Sequence, residues 1–155
     1  MMMFFVFLQF LLLFFMLFHD WIPVPPFNNT AALKKVDGSW GRLKGSIING
    51  ITVLIPLWLT LKYIHTSMPQ SALTTIVCFY LGISIGTIFS WWIPYFFGSS
   101  TQHKDSFQKF KQTHHFLPER GDHVVPNTLH VLLHLQVWVC LLISVYFLFS
   151  SFMPQ

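Results

Sequence analysis

The residues of this sequence best suited to chemistry are His130 and His134, which lie four positions apart in an otherwise apolar segment. On a helix, residues at this spacing share one face and lie about 6 Å apart along the axis. Asn127 falls about one turn earlier on the same face. Two imidazoles so arranged can bind one metal ion together, move protons or hydrogen-bond to a ligand. They are the first candidates for a functional site.

A divalent metal held by His130 and His134 would need at least one further ligand from another part of the chain. The residues between the two histidines are Val131, Leu132 and Leu133, so the H-E-x-x-H motif of metalloproteases is absent. A metal is therefore an open alternative and not a requirement of the sequence. The candidate third ligands are Asp20, His19, His114, His115 and His123.

The composition indicates a membrane protein. Hydrophobic residues make up 54% of the 155 residues and charged residues only 9%, against roughly 25% charged in a typical soluble domain. Such a chain cannot cover its surface with polar groups, so membrane lipids are its expected partners. Because the nine Lys and Arg residues are divided between separate segments, they form no continuous basic surface, and we expect no nucleic acid partner.

Four apolar stretches are long enough to cross a bilayer, which takes about 17–25 residues each. The sequence therefore predicts an all-α, four-helix transmembrane bundle that forms a single integral membrane domain, residues 1–155. The first stretch could instead be a signal peptide, but no Lys or Arg precedes it and no small-residue cleavage pattern follows it. We expect it to be retained, with a three-helix mature protein as the alternative. The predicted spans are residues 1–18, 47–64, 72–97 and 129–152.

The basic residues predict the orientation of the bundle. Eight of the nine lie in two polar loops, residues 19–46 and 98–128, while the ninth, Lys62, lies at the far end of the second span. By the positive-inside rule both loops are cytoplasmic, so the N- and C-termini lie on the outer side. We expect the plasma membrane. The eight loop residues are Lys34, Lys35, Arg42, Lys44, Lys104, Lys109, Lys111 and Arg120.

In this topology the polar residues of all four spans lie near the cytoplasmic side, where they could line one pocket. Ionisable groups at membrane depth are functional candidates because burying them is costly. We assign catalytic roles to His130, His134 and Asp20. The alternative is that His130 and His134 only hydrogen-bond across helices, to Tyr95, Asn49 or Asp20. The expected ligand-binding residues are His19, Asn49, Tyr95 and Asn127.

Two further patterns concern packing. Gly82 and Gly86, spaced i, i+4, would let another helix approach closely, either inside the bundle or in a homo-oligomer or complex with another membrane protein. In the second loop, Phe107, Phe110, His114 and Leu117 recur near helical spacing, which predicts an amphipathic helix along the inner interface. The alternative is a disordered connector.

The sequence contains no nucleophile elbow, phosphate-binding loop or C-x-x-C motif that would assign an enzyme class. Because the polar residues of all four spans lie near the cytoplasmic side, the sequence favours a protein that binds or acts on a lipid or small molecule. The site would be a His-containing pocket at the cytoplasmic leaflet. The alternative is a non-catalytic membrane accessory or immunity-type protein. The sequence does not decide whether the protein is an enzyme.

Overall fold

The computed structural model describes residues 1–153, and all regular secondary structure in this part of the chain is helical. Helices α1 and α2 come first, and α3 continues through one π-helical turn into the short helix α4. A short helix α5 ends in a 3₁₀ turn, and α6 closes the described chain. The bounds are α1 Met2–Phe18, α2 Thr30–Lys62, α3 Gln70–Thr87, the π-helical turn Ile88–Trp92, α4 Ile93–Phe97, α5 Thr101–Phe107, the 3₁₀ turn Gln108–Phe110 and α6 Thr128–Ser150.

The four long helices pack in a ring, with α1 against α2 and α6, and α3 against α2 and α6. Their facing side chains form one apolar core, because each helix contributes residues at helical spacing. Phe5 of α1, for example, meets Tyr80 of α3 edge to face at 6.2 Å between ring centroids. The core consists of Phe5, Leu12, Met16, Val53, Ile76, Tyr80, Leu133, Val137 and Cys140.

In the described part of the chain, three segments are long and apolar enough to cross a membrane: α2, the run from α3 through α4 (Gln70–Phe97), and α6. No more than 33% of the residues in the most apolar part of each are buried inside the protein. Most of their apolar side chains therefore face outward, which is costly in water and favourable in lipid. Helix α1 is also apolar but has only 17 residues, about 25 Å at 1.5 Å per residue.

The second helix begins much earlier than the sequence analysis placed it. Residues 30–46 were assigned to a loop, but they belong to α2, which starts after Asn29. The Asn29 side chain accepts a hydrogen bond from the Ala32 amide at 3.0 Å and so caps the helix. At Gly38 the backbone turns to φ 65°, so the helix has a kink there. Lysines in this segment show that it is exposed to solvent, but a helix can be exposed as well as a loop can.

The π-helical turn between α3 and α4 has a local cause in Pro94. Proline has no N–H, so it cannot donate the usual helical hydrogen bond to the Ser90 carbonyl. The amide of Ile93 instead reaches Ile88, five residues back, and the freed Ser90 carbonyl contacts the His103 imidazole of α5 at 3.1 Å. The extra residue in this turn rotates the chain after Trp91 relative to a regular α-helix.

The second loop contains a shorter helix than predicted. Ser100 caps α5 by accepting from the His103 amide, and helical structure ends at Phe110, so His114 lies outside it. The aromatic rings of this segment also face the protein and not lipid. Phe107 and Phe110 lie 4.5 Å and 5.2 Å from the Trp91 ring. Aromatic packing on α3, which spacing alone does not reveal, decides their direction.

The two polar loops meet at one end of the molecule. Lys109 donates to both carboxylate oxygens of Asp37, at 2.8 and 2.6 Å, and so joins the second loop to the start of α2. The backbone of His114 bridges the Pro26 carbonyl and the Thr128 amide, at 2.8 and 2.9 Å. We call this assembly of residues 19–46 and 98–128 the loop cap. Every predicted site residue therefore lies in the loop cap or at the helix ends next to it.

Arg42 holds the first loop against α2. Its guanidinium donates to the Asp20 carbonyl at 2.8 Å and lies 4.3 Å from the centre of the Trp21 ring. The Trp21 indole in turn donates to the Ser46 hydroxyl at 2.9 Å. Arg42 itself is buried, so its charge is balanced by a carbonyl and an aromatic face instead of by a carboxylate.

Candidate functional site

A cavity of about 400 Å³ opens next to the loop cap, between α2 and α3, and reaches inward to α1 and α6. Three imidazoles line it together with amide, hydroxyl and apolar groups, and no Lys, Arg, Asp or Glu is among its lining residues. The lining residues are Met16, His19, Asn49, Thr52, Gly82, Ile83, Gly86, Thr87, Ser90, Trp91, His130, Leu133 and His134. We call this space the histidine cavity.

The ring of His130 is held in place from several sides. Trp91 packs on it at 4.2 Å between centroids with a tilt of 32°, and Phe110 meets it at 4.8 Å at a steep angle. Its Nδ1 lies 2.6 Å from the Oδ1 atom of Asn127. These contacts fix both the position and the rotation of the imidazole, so the orientation of its second nitrogen is also fixed.

Asn127 supports the site without lining it. Its Oδ1 caps α6 by accepting from the His130 amide at 3.0 Å, while its Nδ2 donates to the Phe27 carbonyl and to the Thr113 hydroxyl oxygen. The residue is fully buried. One amide thus joins the start of α6 to both polar loops and to the His130 ring.

His134 lies one turn further along α6 and is almost fully buried, with 1% of its surface exposed. Its Nδ1 is buried and has no hydrogen-bond partner in the structure. Its ring lies near the indoles of Trp91 and Trp92, at 6.0 and 6.1 Å between centroids. A buried polar group without a partner is costly, so this side chain lowers the stability of the helix packing around it.

His19 brings a third imidazole to the cavity from the end of α1. Its Nδ1 is 2.9 Å from the Phe15 carbonyl oxygen, which can only accept, so Nδ1 carries a proton. Its Nε2 lies 3.2 Å from a carboxylate oxygen of Asp20. The ring is 5.9 Å from that of His130 between centroids. His19 and Asp20 therefore form a pair at the edge of the cavity.

The structure separates the seven predicted site residues into two groups. His130, His134, His19 and Asn49 line the cavity, while Asp20, Tyr95 and Asn127 do not. Tyr95 donates its hydroxyl to the Pro118 carbonyl at 3.2 Å and so holds the second loop. The alternative prediction was that His130 and His134 hydrogen-bond across helices to Tyr95, Asn49 or Asp20. No such bond is present among residues 1–153, and the His130 ring bonds instead to Asn127 at the start of its own helix.

The remaining histidines proposed as metal ligands stabilise the loop cap. The rings of His114, His115 and His123 contact the Thr128 hydroxyl, the Phe110 carbonyl and the Tyr95 carbonyl, respectively. Among residues 1–153, no group of three His, Cys, Asp or Glu side chains is placed to hold a metal ion. The geometry therefore provides no third ligand to join His130 and His134, and the prediction of a metal at these two residues has no support in the structure.

Gly82 and Gly86 are exposed along one wall of the cavity. A Cβ atom added at either position would meet nothing within 4 Å, so no helix among residues 1–153 packs against them. With Ser90 they form a strip of small residues that leaves room opposite Asn49 and Thr52 of α2. Thr52, Ser90 and Trp91 also line the cavity, although the sequence did not predict them as site residues. The sequence feature that could have indicated this wall is the pair Trp91 and Trp92 just before Pro94.

The apolar core also contains buried polar side chains that the sequence did not predict. The side chain of Gln9 and the hydroxyl of Tyr80 are fully buried, and neither forms a hydrogen bond of normal geometry. The Tyr80 hydroxyl lies next to Gln9 and to the Cys140 thiol. These residues lie midway along α1, α3 and α6, away from the histidine cavity.

No family model, curated protein or solved structure gives a significant match to this chain. The class that the fold and composition support is that of helical proteins with segments suited to crossing a membrane. Any more specific function must therefore be argued from the histidine cavity.

Proposed function

We propose that this protein is an integral protein of the cell membrane that binds a lipid or amphipathic small molecule in the histidine cavity. The observation that carries the proposal is that the imidazoles of His19, His130 and His134 line one cavity of about 400 Å³. Ligand sites are commonly apolar cavities of about 300–1,000 Å³ with a few convergent polar groups. The histidine cavity has this composition.

In the proposed topology all four long helices span the bilayer, the loop cap is cytoplasmic, and both termini lie outside. Two features support this arrangement. Helix α1 supplies Phe5, Leu12 and Met16 to the common core, and the loop cap carries eight of the nine Lys and Arg residues. The histidine cavity then lies at the depth of the cytoplasmic leaflet.

Labelling of single cysteines tests the topology. A cysteine in place of Ser67, in the turn between α2 and α3, should react with an impermeant maleimide added outside intact cells. A cysteine in place of Ser106 should react only after the membrane is opened. Reaction of both from the same side would contradict the proposed orientation.

The cavity opens between α2 and α3, where Asn49, Gly82 and Gly86 are exposed. A ligand could therefore enter sideways from the bilayer. We propose that the small residues of α3 form the wall of a ligand site and not a contact between two copies of the chain. This proposal predicts that enlarging Gly86 reduces ligand binding and leaves the oligomeric state unchanged.

Photo-crosslinking in nanodiscs tests the proposed function. Diazirine-bearing phosphatidylcholine, diacylglycerol and fatty acid are the probes, and we expect at least one to label residues 49–52 and 82–91 preferentially. Gly86→Leu should lower that yield about tenfold by occupying the cavity. Gly45→Leu is the matched control, because a Cβ at Gly45 also meets nothing within 4 Å but lies outside the cavity.

Labelling by all three probes that is spread evenly over the outward faces of the helices, and insensitive to Gly86→Leu, would overturn the proposed function. If the parent chain is a dimer and Gly86→Leu is a monomer, the result would instead favour a role of this face in packing two copies of the chain.

A further inference from the structure

The orientation of the Asn127 side chain determines which nitrogen of His130 carries a proton. The Nδ2 atom of Asn127 faces two acceptors, the Phe27 carbonyl at 3.3 Å and the Thr113 oxygen at 3.0 Å. The Thr113 hydroxyl already donates to the Phe110 carbonyl at 2.6 Å, so its oxygen can only accept from Asn127. The opposite side of the amide, facing His130, must therefore be the oxygen.

Because an amide oxygen can only accept, the 2.6 Å contact requires a proton on His130 Nδ1. In the neutral ring the other nitrogen, Nε2, then carries a lone pair. Nε2 forms no hydrogen bond with any of residues 1–153, and His130 lines the histidine cavity. The site therefore holds a hydrogen-bond acceptor in a fixed direction.

Other groups around the cavity are also acceptors. Pro56 has no N–H, so the carbonyl of Thr52 lacks its usual helical donor. The Thr52 hydroxyl donates to the Asn49 carbonyl at 2.7 Å, which leaves its oxygen lone pairs available. These acceptors can receive hydrogen bonds from a ligand that carries a donor group.

The lining contains no unpaired cation to balance an anionic headgroup. Neither Lys nor Arg lines the cavity, and a protonated His19 ring is already paired with the Asp20 carboxylate. A phosphate or carboxylate would lose its hydration here without a charged partner, which is strongly unfavourable. The charge of the site therefore disfavours phospholipid headgroups and fatty acid anions.

We propose that the histidine cavity binds an uncharged lipid with a free hydroxyl group, of the diacylglycerol class, whose hydroxyl donates to His130 Nε2. This inference rests on the proposed function. A cavity of about 400 Å³ can hold the glycerol headgroup and the start of the chains. The rest of the chains leaves through the opening between α2 and α3 into the bilayer.

The test compares three probes of equal chain length in phosphatidylcholine nanodiscs: dioleoylglycerol, its methyl ether and dioleoyl phosphatidic acid. Binding is measured by native mass spectrometry and by competition with the cross-linking lipid. We expect dioleoylglycerol to bind about tenfold more tightly than the methyl ether, since the ether cannot donate the hydrogen bond. Phosphatidic acid should bind more weakly than dioleoylglycerol.

His130→Phe should keep the aromatic packing on Trp91 and remove the acceptor, so that dioleoylglycerol and its ether bind equally. The parent chain provides a second readout that needs no variant. With ¹⁵N-labelled histidine, the His130 Nε2 resonance should lie in the range of an unprotonated nitrogen, and dioleoylglycerol but not the ether should shift it.

Equal binding of dioleoylglycerol and its ether by the parent chain would overturn the hydroxyl assignment, as would a preference for phosphatidic acid. In either case the proposed function stands if Gly86→Leu still blocks binding and Gly45→Leu does not. Loss of the Gly86→Leu effect with every probe would instead contradict the proposed function itself.

Discussion

Asn127 and Asn29 provide a direct test of how the loop cap is held together. Each is the N-cap of a long helix and accepts a backbone hydrogen bond at 3.0 Å, Asn127 from His130 and Asn29 from Ala32. Asn127 is fully buried and also bonds to both loops, whereas Asn29 is half-buried and makes one further, weak contact at 3.4 Å. Substitution by alanine removes the same cap at both positions.

Loss of a helix cap costs about 1 kcal/mol, so Asn29→Ala should lower the free energy of unfolding by roughly that amount. Asn127→Ala should cost about 3–7 kcal/mol, because it also leaves the Phe27 carbonyl and the His130 Nδ1 proton buried without partners, at about 1–3 kcal/mol each. For a chain of this size the difference corresponds to a gap in Tm of roughly 4–24 °C.

The assay is thermal unfolding of both variants in the same detergent, followed by circular dichroism. Equal losses for Asn29→Ala and Asn127→Ala would refute the reasoning, because the buried amide would then add nothing beyond its cap. Asn127→Asp is an additional control. It keeps the acceptor for His130 but removes the donor to Phe27, so it should lie between the parent chain and Asn127→Ala.

Two further predictions concern the lysine–aspartate pairs of the second loop. A double-mutant cycle with Lys109→Met and Asp37→Asn should give a coupling energy of about 1 kcal/mol in thermal unfolding, since both side chains are largely shielded from water. The Lys104–Asp122 pair, with its carboxylate 82% exposed, should give a much smaller coupling in the same cycle, because solvent screens it. Lys104 holds the pKa of Asp122 below its usual value, so its small stabilising effect is present at neutral pH and lost only as the pH falls through that lowered pKa. In an NMR titration, Lys104→Gln should therefore move the midpoint of Asp122 upward, and an unchanged midpoint would contradict the pairing.

Part of the candidate site could be predicted from the sequence, because four of its residues lie at the ends of apolar segments next to basic ones. His19, Asn49, His130 and His134 each lie where an apolar run begins or ends next to a basic loop. Antiparallel neighbours bring such ends to one level, and the structure places all four residues in one cavity. The i, i+4 spacing of the two α6 histidines also predicts their shared face correctly.

The direction of a side chain around its helix was harder to predict than its depth. Tyr95 lies close to the cavity level, but the π-helical turn before Pro94 adds one residue and rotates the chain that follows. Trp91 therefore faces His130 while Tyr95 faces Pro118 in the loop cap. A count of 3.6 residues per turn does not include such an insertion.

The loops were the least predictable part because their structure depends on long-range contacts. Polarity gives no information on whether the segment around Arg42 is helical, and that helix is stabilised by contacts with the first loop. Similarly, Phe110 faces inward because Trp91 and His130 lie beneath it. Neither partner is near in sequence, so no local pattern records these contacts.

These contacts make the loop cap part of the site. Phe110 from the second loop covers one side of the His130 ring, and the Phe27 carbonyl from the first loop fixes the amide that orients it. Lys109, next to Phe110, joins that loop to Asp37 of α2. A displacement of either loop must therefore alter the direction or covering of His130. The acceptor in the cavity is thus oriented by contacts in the polar loops, whereas the ligand that we propose for it would enter from the bilayer.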